Sequence, residues 1–139
     1  MDLLAFAKSV SDRVEAQSKL AKVPVAVSVI DIHGNMILQH RMSGAPTFSI
    51  EISERKAYTS ALVGQRTADI SPLVQPGQPL FPLMGLSDGR FCSMGGGAPL
   101  TDDGQLVAGV GVSGGTVDQD VAILEAALRE TRTPAVAAR

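Results

Sequence analysis

The chain has 139 residues, of which 45% are apolar and 19% are charged, and its net charge is −2. This length is typical of one domain with a single hydrophobic core. The absence of a basic run, together with an aromatic content of 4%, argues against nucleic-acid binding. Cys92 is the only cysteine, which excludes an intrachain disulfide and favours a reducing compartment.

The N-terminal segment predicts a helix from about residue 2 to residue 21. Apolar residues recur there at steps of three and four, beginning with Leu3, Ala7 and Val10. The acidic start and the polar residues that follow it are unlike a signal peptide. No stretch approaches the roughly 20 apolar residues that a membrane span needs. We therefore expect a cytoplasmic protein that does not bind membranes.

Residues 24–42 predict a β-hairpin. The segment Val25–Ile30 alternates as in a mostly buried strand, His33–Asn35 supplies the turn, and Met36–Arg41 is the returning strand.

A second helix is predicted from Ser49, as its N-cap, to about Val63, and Gly64 ends it. Glu51 and Glu54 fall in its first turns, where the helix dipole favours negative charge.

Residues 65–89 contain four prolines and no clear periodicity. A segment this long without periodicity is usually functional, and we expect it to act as a lid or as an oligomer contact. Two further strands are predicted, Arg90–Met94 and Gln105–Val112.

The last helix is predicted over Val117–Arg129, because Thr116 and Gln119 match a capping box. The order of elements indicates an α+β fold with an antiparallel sheet. We expect one domain over residues 1–130 and a frayed C-terminal tail over residues 131–139.

Two glycine-rich segments are the most informative feature for function, namely Gly95–Gly97 and 109–115. Glycine lets a ligand approach the backbone closely. The second segment ends at a helix N-terminus, where free N–H groups suit an anion such as a carboxylate. Tight turns and close helix–sheet packing would explain the same glycines. Neither segment is a Walker A loop, and no βαβ unit supports dinucleotide binding. The predicted ligand-binding residues are Lys56, Gly95, Gly96, Gly97, Pro99, Ser113, Gly114 and Gly115.

Three charged residues of the second helix are candidates for chemistry. Lys56 could anchor a ligand carboxylate or, if desolvated, act as a base. Glu51 and Glu54 could share a site with it as catalytic groups. The alternative is a solvated helix face with ion pairs and dipole-complementing carboxylates.

The sequence has no recognised metal-binding pattern. His33 and His40 lie on opposite sides of a turn and lack a zinc spacing. A haem iron needs only one axial protein ligand, for which His40, Tyr58 or a methionine is a candidate. Cys92 is expected to be a buried thiol.

Four stretches in this order resemble a known family: Pro24–Asn35, Arg41–Ala61, Gly95–Leu100 and Gly104–Asp120. Together with the first helix they cover nearly the whole chain. The sequence resembles the GlcG/HbpS-type family, also called the haem-binding or PduO C-terminal-like domain.

The resemblance implies a profilin-like fold, with an antiparallel sheet of about five strands flanked by helices, and a homo-oligomer. It also implies haem or corrinoid as cofactor, redox sensing, or a small-molecule enzyme. Members that bind haem through a histidine of the first helix have no counterpart here, because residues 2–22 contain no histidine. We carry over as pocket positions Glu51, Lys56, Gly95–Gly97 and Ser113–Gly115.

Three functions follow as hypotheses. The first is a binding module for a haem-like, corrinoid-like or smaller carboxylated molecule, held between the second helix, Gly95–Pro99 and the strand end at 109–115. The second is a cofactor-free isomerase, lyase or hydratase, with Glu51 or Glu54 as base and Lys56 stabilising a developing negative charge. The third is a structural oligomer subunit without a ligand.

Overall fold

Four strands form one antiparallel sheet in the order β2-β1-β4-β3. They are β1 (Ala26–Asp31), β2 (Met36–Arg41), β3 (Gly97–Asp102) and β4 (Gln105–Ser113). The computed structural model describes the backbone of residues 1–137 and the side chains of residues 1–129. The α+β class is confirmed, with four strands in this sheet instead of about five.

The segment expected as a further strand, Arg90–Met94, does not join the sheet. The Cys92 amide donates to the hydroxyl of Thr59 at 2.8 Å, and the Arg55 guanidinium donates to the Gly89 carbonyl at 3.1 Å. These side-chain bonds tie the segment to the second helix and take the place of strand pairing.

Helices cover both faces of the sheet. They are α1 (Leu3–Ala21), α2 (Ser49–Val63), α3 (Thr67–Ile70) and α4 (Val117–Ala137). The main core lies between the sheet and the pair α1 and α4, whereas α2 packs on the opposite face.

The alternation of β1 explains this arrangement. Val27 and Val29 point into the core beneath α1 and α4. Ser28 and Ile30 point the other way, and the Ser28 hydroxyl lies 2.8 Å from that of Ser53 on α2. The predicted hairpin is confirmed by the antiparallel pairing of β1 with β2.

Local signals set the helix ends. The predicted capping box of α4 is present, since the Thr116 amide donates to the Gln119 side chain at 2.8 Å and the Gln119 amide donates back at 3.2 Å. Gly64 ends α2 in the left-handed conformation. The predicted N-cap is displaced by one residue: Phe48 occupies that position, and Ser49 is the first helical residue.

The irregular segment consists of α3 followed by three 3₁₀ turns, Ser71–Leu73, Phe81–Gly85 and Ser87–Gly89. Most of its residues after Ile70 are exposed. Its function as a lid or oligomer contact stays a prediction.

The last helix extends to Ala137, beyond its predicted end at Arg129. The predicted frayed tail, 131–139, lies outside the residues whose side chains are described, and the domain boundary stays a prediction. Within the described residues, no helix combines the length and the apolar character needed to span a membrane.

Candidate functional site

The α2 helix crosses the sheet over β4 and buries Lys56, which is 1% exposed. The Lys56 ammonium donates to the Val112 carbonyl at 2.8 Å and to Asp120 Oδ2 at 3.2 Å. Lys56 therefore forms a buried ion pair that joins α2, β4 and α4.

The carboxylate in this pair also meets the glycine loop before α4. Asp120 Oδ1 accepts a hydrogen bond from the Gly115 amide at 2.9 Å. Anions are favoured where loop amides converge before a helix. Here a carboxylate of the chain itself lies against these amides.

Burial dominates the electrostatics of the pair. Desolvation lowers the pKa of Lys56, and the Coulombic attraction and hydrogen bond from Asp120 oppose that shift. Desolvation likewise raises the pKa of Asp120, against the Gly115 amide and the Lys56 charge. Each group is thus partnered, but both lie in a medium that disfavours charge.

The glycines of β4 allow α2 to approach the sheet. A Cβ atom on Gly111 would lie 2.0 Å from the Ser53 carbonyl oxygen, and one on Gly109 would lie 2.3 Å from that of Ala57. Both glycines face helix backbone, so close helix–sheet packing accounts for them.

The other predicted glycines also face the chain itself. A Cβ atom on Gly96 would lie 2.8 Å from Lys56 Nζ, and one on Gly97 would lie 2.7 Å from the Lys56 carbonyl oxygen. A Cβ atom on Gly114 would lie 2.2 Å from the Pro24 carbonyl oxygen. On Gly95, a Cβ atom would lie 2.7 Å from the Val121 side chain.

The structure thus brings Lys56 next to Gly96 and Gly97, and it joins Lys56 to the loop after Ser113 through Asp120. Ser113 is buried at the end of β4, Gly115 is exposed, and Pro99 is half-buried on the edge strand β3. The ligand-binding role of these residues stays a prediction.

The two glutamates of α2 do not join this buried cluster. Glu51 is 68% exposed and pairs with Arg55 at 2.8 Å, one helical turn away, while Glu54 is half-buried. Their catalytic role also stays a prediction.

Tyr58, one of the candidate haem ligands, is 7% exposed. The Arg90 guanidinium lies 3.9 Å from the centre of its ring, and the Phe91 ring lies 5.4 Å away. Cys92 is buried as a free thiol.

An open groove of about 520 Å³ lies between the C-terminal half of α1, the start of β1 and the end of β2. It combines apolar surface with charged side chains. Its lining includes Glu15, Lys19, Lys22, Val23, Pro24 and Met42. None of the predicted ligand-binding residues lines this groove.

His40, another candidate haem ligand, lies beside the groove through its contact with Glu15. Its Nδ1 donates to Glu15 Oε2 at 2.8 Å, and the Ser11 hydroxyl donates to the same oxygen at 2.8 Å. The His40 side chain is 49% exposed, and the bond at Nδ1 leaves Nε2 as the nitrogen that can bind a metal. His33 is exposed in the turn between β1 and β2.

Sequence reasoning missed the groove because it followed only the apolar face of α1. Ser11 and Glu15 lie one turn apart on the flank of that helix, and Lys22 is its C-cap. His40 lies near the end of β2, and Met42 directly follows that strand. A polar helix stripe next to a strand with metal-binding side chains is the signal that could have located this site.

This chain is similar to known proteins over most of its length. A family model described as haem degrading protein HbpS-like matches residues 4–129. An uncharacterised 15.0 kDa protein of Citrobacter freundii, encoded between dhaT and dhaS, is 43% identical over 125 residues, which are 90% of this chain and 88% of that protein.

Two further comparisons involve PduO proteins. The corrinoid adenosyltransferase PduO of Salmonella typhimurium is 39% identical over 107 residues, and the match covers 77% of this chain but only 32% of PduO. A solved structure of a PduOC:heme complex is 34% identical, with a TM-score of 0.83 and 88% of each chain covered.

Proposed function

This chain belongs to the HbpS-like family, and from that membership and the groove we propose that it binds a haem-like tetrapyrrole between α1 and β2. A family described as haem degrading and a relative of similar fold in complex with haem support this class of ligand. PduO is more than three times as long as the matched segment, so its adenosyltransferase activity is not carried over.

The groove has a volume typical of small-molecule sites and a lining that suits a haem-like ligand. Its volume of about 520 Å³ falls within the usual range for small-molecule sites, roughly 300–1,000 Å³. Val23, Pro24 and Met42 offer an apolar wall for a macrocycle, and Lys19 and Lys22 are exposed cations for its carboxylates.

One observation carries the proposal: Glu15 accepts the Nδ1 proton of His40 beside this groove. The bond restrains the ring through Nδ1 and leaves Nε2 as the nitrogen that would bind a metal, as in the carboxylate–histidine pairs of metal sites. When bound, haem would supply an iron that a nitrogen ligand can hold and that changes oxidation state. His40 would provide that nitrogen from β2, since the first helix has no histidine.

Tyr58 is less suited to this role. Its ring is buried beneath Arg90, and its helix lies on the opposite face of the sheet from the groove. We therefore propose His40, and not Tyr58, as the residue that would hold the iron.

The test is a spectroscopic titration of the purified chain with ferric haem. We expect a shifted Soret band for the wild type and an affinity at least about tenfold lower for His40→Ala, because the nitrogen that would hold the iron is lost. His33→Ala is the matched control, since it removes the only other histidine, which lies in the exposed turn. Equal affinities for His40→Ala and the wild type would show the assignment to be wrong.

A parallel titration with aquocobalamin separates the two tetrapyrrole classes. A His40-dependent spectral shift with haem but not with the corrinoid would assign haem. The reverse result would assign a corrinoid, and no shift with either would overturn the proposed function.

A further inference from the structure

We propose that Glu15 is a positioning residue that makes His40 a strongly donating ligand, and that Ser11 holds Glu15 in place for this purpose. This inference rests on the proposed function. It concerns two residues of α1 that lie behind the ligand-binding nitrogen.

The geometry is a small hydrogen-bonded network. Ser11, which is 0% exposed, donates to Glu15 Oε2 at 2.8 Å, and His40 Nδ1 donates to that same oxygen at 2.8 Å. The Ser11 hydroxyl oxygen lies 3.2 Å from His40 Nδ1. Glu15 Oε2 therefore accepts hydrogen bonds from a side chain on α1 and from a side chain on β2.

The charge of this carboxylate acts on His40. Its Oε2 lies 2.8 Å from His40 Nδ1. Glu15 is 24% exposed, so water screens it only in part. A charge-assisted bond at Nδ1–H increases electron density on the ring and makes Nε2 a stronger electron donor to a bound metal.

A more strongly donating nitrogen stabilises the higher oxidation state of a bound metal more than the lower one. Glu15 would therefore favour ferric over ferrous iron. A residue that only packed the groove would change the affinity for both oxidation states equally. This difference separates positioning from a purely structural contribution.

The first experiment uses the protein without any ligand. Nitrogen-15 NMR of the imidazole ring should show His40 as the Nδ1–H tautomer in the wild type. In Glu15→Gln, which preserves the shape but removes the charge, the population of that tautomer should fall. A wild-type ring in the Nε2–H form would overturn the inference whether or not haem binds.

The second experiment measures affinity and reduction potential with haem bound. Glu15→Gln should weaken ferric binding about tenfold, the lower end of the effect seen for outer-shell partners of metal ligands. If ferrous binding is unchanged, the potential rises by about 59 mV, which is the one-electron equivalent of a factor of ten. Ser11→Ala should change the potential in the same direction by a smaller amount.

Asp12→Asn is the matched control, because it removes one negative charge from an exposed position of the same helix. Its potential and its His40 tautomer should equal those of the wild type. Equal potentials for Glu15→Gln and the wild type, with His40-dependent haem binding intact, would overturn this inference alone. Absence of haem binding by the wild type would instead overturn the proposed function and this inference with it.

Discussion

Two regions of this molecule place a basic side chain against a carboxylate: Lys56 against Asp120, and His40 against Glu15. They differ in which polar groups already have a partner within the chain. At the buried cluster, Lys56 and Asp120 bond to each other, to the Val112 carbonyl and to the Gly115 amide. At the groove, Glu15 bonds to one ring nitrogen of His40, Nδ1, which leaves Nε2 outside that bond. The comparison teaches that in the buried cluster the chain itself supplies the partners of the lysine and of the loop amide, whereas the proposed ligand role of His40 depends on its second nitrogen.

The sharpest test of this comparison is removal of the buried carboxylate. Asp120→Ala leaves the Lys56 ammonium buried without its carboxylate and hydrogen-bonded to the Val112 carbonyl. Breaking a buried ion pair from one side typically costs about 3–5 kcal/mol. We expect a loss of that size in the free energy of unfolding, measured by urea denaturation monitored by circular dichroism.

Two variants serve as controls for that loss. Asp118→Ala removes a neighbouring acidic residue that is exposed in the first turn of α4, and it should change stability little. Lys56→Met combined with Asp120→Ala removes both charges and should recover much of the loss. If the double variant were as unstable as Asp120→Ala, the loss would not come from leaving the Lys56 charge buried without a carboxylate.

The next largest effect is expected at a β4 glycine that packs against α2. Gly111→Ala would place a Cβ atom 2.0 Å from the Ser53 carbonyl oxygen, and backbone would have to move to relieve the contact. Overpacking of this kind costs about 3 kcal/mol. Chemical denaturation should show this loss, while haem titration of the folded fraction should give wild-type affinity because the groove lies on the other face.

Gly85→Ala is the matched control, since its Cβ atom would have no neighbour within 4 Å and its φ is not positive. It should unfold at the wild-type urea concentration. If Gly111→Ala were equally stable, the glycines of β4 would not be explained by helix packing.

The sequence predicted the elements whose signals are local. The alternation in β1, the glycine that ends α2 and the Thr116–Gln119 capping box each depend on residues close in the chain. The partner of Lys56 was not predictable in this way, because Asp120 is 64 residues away and only the packing of α2 against β4 and α4 joins them.

The same reasoning explains why the groove was missed. His40 was predicted as a candidate ligand from its residue type, but Glu15 lies 25 residues earlier on another element. Sequence alone pairs residues by spacing along one helix or strand. Contacts between α1 and β2 depend on how the hairpin lies beside the helix, which is a property of the folded chain.

The smallest expected effect is at the lysines of the groove. Lys19→Gln and Lys22→Gln each remove an exposed cation that would meet a ligand carboxylate, and exposed pairs contribute about 0.2–1 kcal/mol. We expect each variant to weaken haem binding up to about fivefold at low salt, and Lys8→Gln, on an exposed part of α1, to bind as the wild type. The loss in affinity should vanish at about 1 M salt, where the Debye length is about 3 Å. It should also vanish with esterified haem, which has no carboxylate charge for the lysines to neutralise. A loss that persists with the ester would mean that the lysines contact the macrocycle through their alkyl stems instead of neutralising its carboxylates.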